Sequence, residues 1–219
     1  MRPSVKGVPG GNSRRDQARA TRRRIIAAAH TLFVDRGYGG TTLEEVAAQA
    51  HVSVQSVYFH FGNKATLLKE ALDVASVGDD EPVPLLERPW VRELESGTDA
   101  HRVLTAWLAN SRAIYERVAG LLRVVRDAAG SDPSMAQQWA VNQQQRLEAF
   151  RHLARTLART DRLRPGVSSA QAADLIFAML SPEVFELLVS ERRWSPRAWE
   201  TRMVTVLEAA LLEPDLPPG

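Results

Sequence analysis

Apolar residues recur at helical spacing along most of this 219-residue chain. Few stretches alternate apolar with polar, so the pattern predicts an all-α fold. A helix is expected from about Asp16, with Ile25, Ile26, Ala29, Leu32 and Phe33 as its stripe and Gly37 as its stop. Thr42, with Glu45 three positions on, forms a capping-box pattern ahead of Leu43, Val46, Ala47 and Ala50. His51-Val52-Ser53 interrupts that period, and Ser53 caps a second short helix, Val54–Phe61. That helix has Val57 and Phe61 to bury, which turns Gln55, Ser56, Tyr58 and His60 elsewhere. Gly62 stops it, Asn63 caps the next, and Leu68, Ala71, Leu72 and Ala75 carry a fourth helix to about Val77. Leu32, Phe33, Leu43, Val46, Val57 and Phe61 form the expected small core.

Residues 78–97 hold three prolines and an acidic excess, and read as a loop or short broken helix. Helical period then resumes in a long helix over Val103–Val118 and a shorter one over Leu121–Val125, closed by Gly130. Met135 to about Thr160 is the next, with Trp139, Val141, Leu147, Phe150, Leu153 and Leu157 inward. Ser168 with Gln171 makes a second capping box, and Pro182 kinks or restarts the helix that runs to residue 191. Ser195-Pro196 opens a last helix, with Trp199, Met203, Val206, Leu207, Ala210 and Leu211 on one stripe; Leu212 onward is expected to trail off.

Charge sharpens the picture at one end. The chain's net charge is +2, yet residues 1–24 hold Arg2, Lys6, Arg14, Arg15, Arg19, Arg22, Arg23 and Arg24 against Asp16, a local +7. The rest of the chain is mildly acidic. A helical hairpin alone leaves DNA reading and a purely structural role equally open. A basic arm leading into such a hairpin is the electrostatic footprint of a nucleic-acid binder. The eight residues of Val54–Phe61 give a helix about 12 Å long, comparable to the major groove's width. Absent cysteine excludes disulfides and thiolate catalysis. The apolar runs are too short to span a membrane, and no secretory signal is read at the N-terminus. The five histidines never fall at metal-ligand spacing, and there is no nucleophile elbow, P-loop or dinucleotide fingerprint. No enzymatic activity, metal or cofactor is therefore expected.

The run RRRIIAAAHTLFVDRGYGGTTLEEVAAQAHVSVQSVYFHFGNKATLLKEAL resembles the TetR family of bacterial transcriptional regulators. The shared features are Leu32-Phe33 through Gly37-Tyr38, Thr41-Thr42, and Val57-Tyr58-Phe59-His60-Phe61 followed by Lys64 and Leu67. His51 departs from the family's usual turn glycine and is expected to take a positive φ, which His tolerates. The resemblance implies a three-helix helix-turn-helix DNA-binding domain over 16–67, behind a disordered basic arm over 1–15. It also implies a C-terminal helical-bundle domain over 68–212 for ligand binding and dimerisation, with a tail over 213–219. A cytoplasmic, bacterial homodimer on a palindromic double-stranded DNA operator follows, most simply a repressor released by a small-molecule effector.

Roles follow from side-chain chemistry and from that resemblance. Gln55 and Ser56 lie on the first turn of the reading helix, where Gln pairs bidentately with adenine. Tyr58 offers a ring for a thymine methyl and a hydroxyl for phosphate. Thr41, Thr42, Ser53, His60 and Lys64 match positions near the backbone, and Arg19, Arg22 and Arg23, with Arg14 and Arg15, face flanking phosphates. Trp107, Ser111, Tyr115, Trp139, Asn142, Gln143, Arg146, Phe150 and Phe177 are the candidate effector residues, aromatics mixed with polar groups. Phe177, Leu180, Val184, Leu188, Trp199, Met203, Val206 and Leu207 are the candidate dimer interface. The reading from a different class is a helical protein–protein adaptor that uses the hairpin without DNA.

Overall fold

The computed structural model describes residues 11–78 and 83–214. The expectations for residues 1–10, 79–82 and 215–219, and for the side chains of 11–14, lie outside the described residues. Ten α-helices follow one another among those residues, and the chain forms two compact units, residues 1–71 and 72–219. The first unit ends at Ala71, four residues beyond the boundary expected at 67.

In the first unit α1 spans Gly11–Arg36, α2 Leu43–Gln49 and α3 Val54–Phe61, and α4 begins at Lys64. The helix starts earlier than expected, so residues 11–15 are not a disordered arm. Arg14 and Arg15 are good helix formers, and a helix anchored downstream extends at little cost per residue, which carries the poorer formers Gly11, Asn12 and Ser13. Ile25, Leu32, Phe33, Leu43, Val46, Val57, Phe61 and Leu67 are buried together, which includes every member of the expected small core. The Thr42–Glu45 capping box is made in both directions. The backbone N–H of Thr42, with Arg36 nearby, holds the Glu45 carboxyl below the ordinary range for glutamate. The cap is thus complete at neutral pH and weakens only as the carboxyl protonates in acid. His51 takes φ 54°, as its place in the turn predicts.

In the second unit α4 continues to Val77. A 3₁₀ turn over Leu85–Glu87 and α5, Pro89–Glu95, then break the 83–97 segment as expected. The Arg117 guanidinium donates to the carbonyls of Ala75 (2.8 Å) and Ser76 (3.3 Å), satisfying acceptors orphaned at the end of α4. α6, Ala100–Ala128, is one continuous helix where two were expected. Gly120 carries little penalty once both flanks pack, because its neighbours Val118, Ala119, Leu121 and Leu122 are all buried. α7 spans Pro133–Ala158, and Val141 is exposed on it rather than inward. α8, Ser169–Met179, starts from the made Ser168–Gln171 capping box.

Pro182 restarts the chain as the short α9, Pro182–Phe185, which runs into a π-helical turn over Glu186–Glu191. α10, Pro196–Leu211, closes the unit against α6 and α8. The segment after it does not simply trail off: Leu163 and Leu212 form an antiparallel bridge, and Glu213 N–H donates to Arg162. Tyr115, Phe185 and Trp199 meet at ring-centroid distances of 5.0–5.8 Å in the centre of this bundle. Trp199 is fully buried there. Trp199→Ala is expected to lower the stability of this unit by about 3–5 kcal/mol, read as a drop in the urea midpoint. An unchanged midpoint contradicts this packing.

Candidate functional site

Two buried side chains aim α3. Val57 and Phe61, one turn apart, face the core, so the opposite side of an eight-residue helix is presented to solvent. That side carries Gln55, Tyr58 and Phe59, all exposed, with Ser56 and His60 half-buried at its margins. The helix is started by Ser53, whose hydroxyl accepts from Ser56 N–H (3.2 Å), and closed at Gly62 in the left-handed region, φ 71°. Only glycine takes that conformation without strain, so the helix ends where its apolar anchors end. α3 carries no acidic residue, and the helix ahead of the hairpin brings exposed Arg15, Arg19 and Arg23.

Three residues expected to touch DNA have partners inside the unit. Thr41 is fully buried; its hydroxyl is shared between the carbonyls of Leu32 (3.1 Å) and Gly37 (2.9 Å). Lys64 Nζ donates to Tyr38 (2.8 Å) and Thr41 (3.1 Å) carbonyls and sits 4.4 Å from the Tyr38 ring centroid. Arg22 is paired with Glu70 and lies 5.7 Å from the Phe61 ring centroid. These polar groups pin the 37–41 connection and α4 around α3, because buried or half-buried polar atoms must find partners. Ser53 is likewise occupied as a cap, and Thr42 is exposed with its hydroxyl in the capping box. Phe59 was missed by the expectation, although it is 86% exposed and one turn from Gln55. Its signal lay in the spacing: a residue two after Val57 and two before Phe61 must point away from the core.

The candidate effector residues divide. Tyr115 on α6 donates to the Leu180 carbonyl, and Arg146 on α7 donates to the carbonyls of Phe177 (3.3 Å) and Leu180 (3.5 Å). The Arg146 guanidinium lies 4.6 Å from the Phe177 ring centroid and 5.9 Å from that of Phe150, and its Nη1 donates to Gln143. α8 ends ahead of Pro182, so the Phe177 and Leu180 carbonyls have no donor from a continuing helix and find these side chains instead. Burial pushes the Tyr115 phenol up, which keeps it a donor. Trp107 belongs to a different cluster, edge-on to Trp90 (5.3 Å) and stacked on His152 (6.2 Å). Asn142 accepts from Gln138 (3.2 Å), both buried; Ser111 is buried on α6, and Trp139 is half-buried on α7.

The candidate dimer face is corrected in part. Leu180, Trp199, Met203 and Leu207 are buried within this chain's own bundle and have no surface to give a partner. Phe177, Val184 and Leu188 remain half-buried and Val206 is 41% exposed, joined by the exposed Leu187 and Trp194. Apolar periodicity marks both kinds of burial alike, which is why the interior residues were included.

Comparison with known proteins bears on the first unit most directly. The family described as bacterial regulatory proteins, tetR family, matches residues 25–71. The HTH-type transcriptional regulator TtgR of Pseudomonas putida is 38% identical over 81 residues. That match covers 32% of this chain, which spans 39% of the curated relative's length. Among solved structures, NalD superposes with a TM-score of 0.66 at 23% identity, over 90% of this chain and 97% of that one. NalD is the secondary repressor of the MexAB-OprM multidrug efflux pump in Pseudomonas aeruginosa. FadR of Bacillus subtilis, solved with stearoyl-CoA, superposes with a TM-score of 0.66 at 17% identity, over 86% and 98% of the two chains. At these identities the structural matches establish the fold.

Removing the Thr41 hydroxyl tests whether it is structural. Thr41→Val leaves the carbonyls of Leu32 and Gly37 short of a donor and is expected to lower stability by about 1–3 kcal/mol in urea unfolding. Unaltered stability contradicts the assignment.

Proposed function

We propose that this chain, whose residues 25–71 match the tetR family of bacterial regulatory proteins, is a DNA-binding transcriptional regulator of that family, acting as a repressor. The observation that carries this reading is the outward face of α3, where Gln55, Tyr58 and Phe59 stand exposed beside Ser56 and His60. Every one of these offers a base edge or a backbone something to bind: an amide, two rings, a hydroxyl and an imidazole. The arginines of α1 supply the sequence-independent attraction to phosphate, and a cytoplasmic location goes with a chromosomal target.

One short helix reads too few base pairs to be selective alone, so the reading includes a homodimer on a two-fold operator. Leu187 and Val206, with Trp194 in the connection before α10 and the half-buried Val184 and Leu188, are the large apolar side chains this region exposes most, and we assign the contact with a second copy to them. The cluster of Tyr115, Arg146, Phe150 and Phe177 at the α8–α9 break is the assigned place for a small-molecule effector. That FadR of Bacillus subtilis, which shares this fold, was solved in complex with stearoyl-CoA supports a small-molecule effector. An effector acts on DNA affinity only through unequal affinity for two conformations of the chain.

Selection of bound duplexes from random DNA is expected to recover a two-fold symmetric site whose affinity falls steeply with salt. Arg19→Ala and Arg23→Ala should each reduce the log–log salt slope by about 2, one phosphate contact being lost in each half-site, without altering the selected sequence. Recovery of no preferred sequence, or a salt-independent affinity, overturns the DNA reading and favours an adaptor. Val206→Glu combined with Leu187→Glu is expected to give a monomer in sedimentation, because each buried apolar side chain contributes about 1.5–3 kcal/mol. A dimer that persists places the interface elsewhere.

A further inference from the structure

Among the exposed large apolar side chains Phe59 stands apart. It is 86% exposed, whereas Tyr58, Leu187, Val206, Val141 and Trp194 range from 37% to 49%. Its ring meets the His60 ring edge-on at 5.4 Å. A scattered surface apolar residue needs no explanation in itself. Phe59, however, sits in the middle of the face that α3 turns outward, one helical turn after Gln55. Residues four apart on a helix are neighbours on one side, so the Gln55 amide and the Phe59 ring approach the same surface together.

The chemistry of the two aromatics on this face differs. Tyr58 ends in a hydroxyl, which a phosphate oxygen accepts from. Phe59 ends in carbon and hydrogen only, so it gains nothing from phosphate and gains from leaving water. In the major groove the apolar group a base presents is the C5-methyl of thymine, and the adenine of the same or next pair presents the N6/N7 edge that glutamine matches. Resting on the DNA reading above, we propose that Phe59 is a specificity-determining residue that packs on a thymine C5-methyl beside an adenine read by Gln55. It makes each half-site recognise at least one A·T pair by shape and apolarity rather than by charge. Tyr58 is then left to the backbone.

The test removes the methyl from the DNA rather than from the protein. The duplex recovered by selection is resynthesised with deoxyuridine replacing thymine, one symmetric pair of positions at a time. Binding of the full chain and of Phe59→Ala is then compared by fluorescence anisotropy. Burial of a methyl-sized group corresponds to about fourfold in affinity. At one pair of thymines the unaltered chain should lose about fourfold for each half-site, and Phe59→Ala, already weaker on the thymine duplex, should lose nothing further. Phe59→Leu, which keeps an apolar tip, should retain part of the dependence. If no deoxyuridine position weakens the unaltered chain, or if Phe59→Ala is weakened equally, the proposal is wrong and another residue or the sugar is the contact. Failure to select any preferred duplex is seen before a thymine is changed; it overturns the DNA reading and this proposal with it.

Discussion

The arrangement rests on burying Val57 and Phe61 in a helix too short to have a second anchoring point. With two apolar residues at i and i+4 in an eight-residue helix, the core contact sets the rotation of α3 about its axis. Everything around it defends that rotation. Leu43 and Val46 are buried on α2, which packs against α3, Phe33 and Leu67 are buried in the same unit, Ser53 and Gly62 set the two ends, and Thr41 and Lys64 fix the connection ahead of α2. A unit of some 60 residues has little stability to spare, so internal polar contacts matter here beyond their individual size. The outer face is free to be chosen for recognition because it takes no part in this.

The second unit solves a different problem. Its last helices are interrupted at Leu180–Pro182, and an interruption inside a bundle strands backbone carbonyls. Tyr115 and Arg146 meet that need from two other helices, so the break is tied to α6 and α7 at one point. The same groups are those a ligand with acceptor atoms would compete for. An effector placed there trades a protein contact for a ligand contact, which is how a small molecule biases one packing of the bundle over another. The π-helical turn that follows the break carries exposed Leu187, next to the surface assigned to the second copy.

Much of this was legible in the chain. Both capping boxes, the α3 boundaries, the positive φ at His51 and the six-residue small core all follow from local chemistry and periodicity. What was not legible shares a cause. Thr41, Lys64 and Arg22 are polar, and a linear pattern treats polar residues as outward, whereas here their partners lie 4 to 48 residues away. Leu180, Trp199, Met203 and Leu207 are apolar, and periodicity does not distinguish burial in the chain's own bundle from burial by a partner. Gly120 inside α6 and the helical start of α1 at Gly11 show glycine overruled by packing on both flanks and by the extension of a helix anchored downstream. Phe59 lies in the aromatic run Tyr58–Phe61, where only helical phase separates the outward Phe59 from the buried Phe61.

The central claim is that the outer face of α3 is what meets DNA. Backbone amide chemical-shift changes, recorded while the chain is titrated with a selected duplex, test this residue by residue. The account predicts the largest changes over residues 53–60, accompanied by the α1 arginines that precede Ile25. Changes confined to residues 72–214, or none at any duplex concentration, would contradict it.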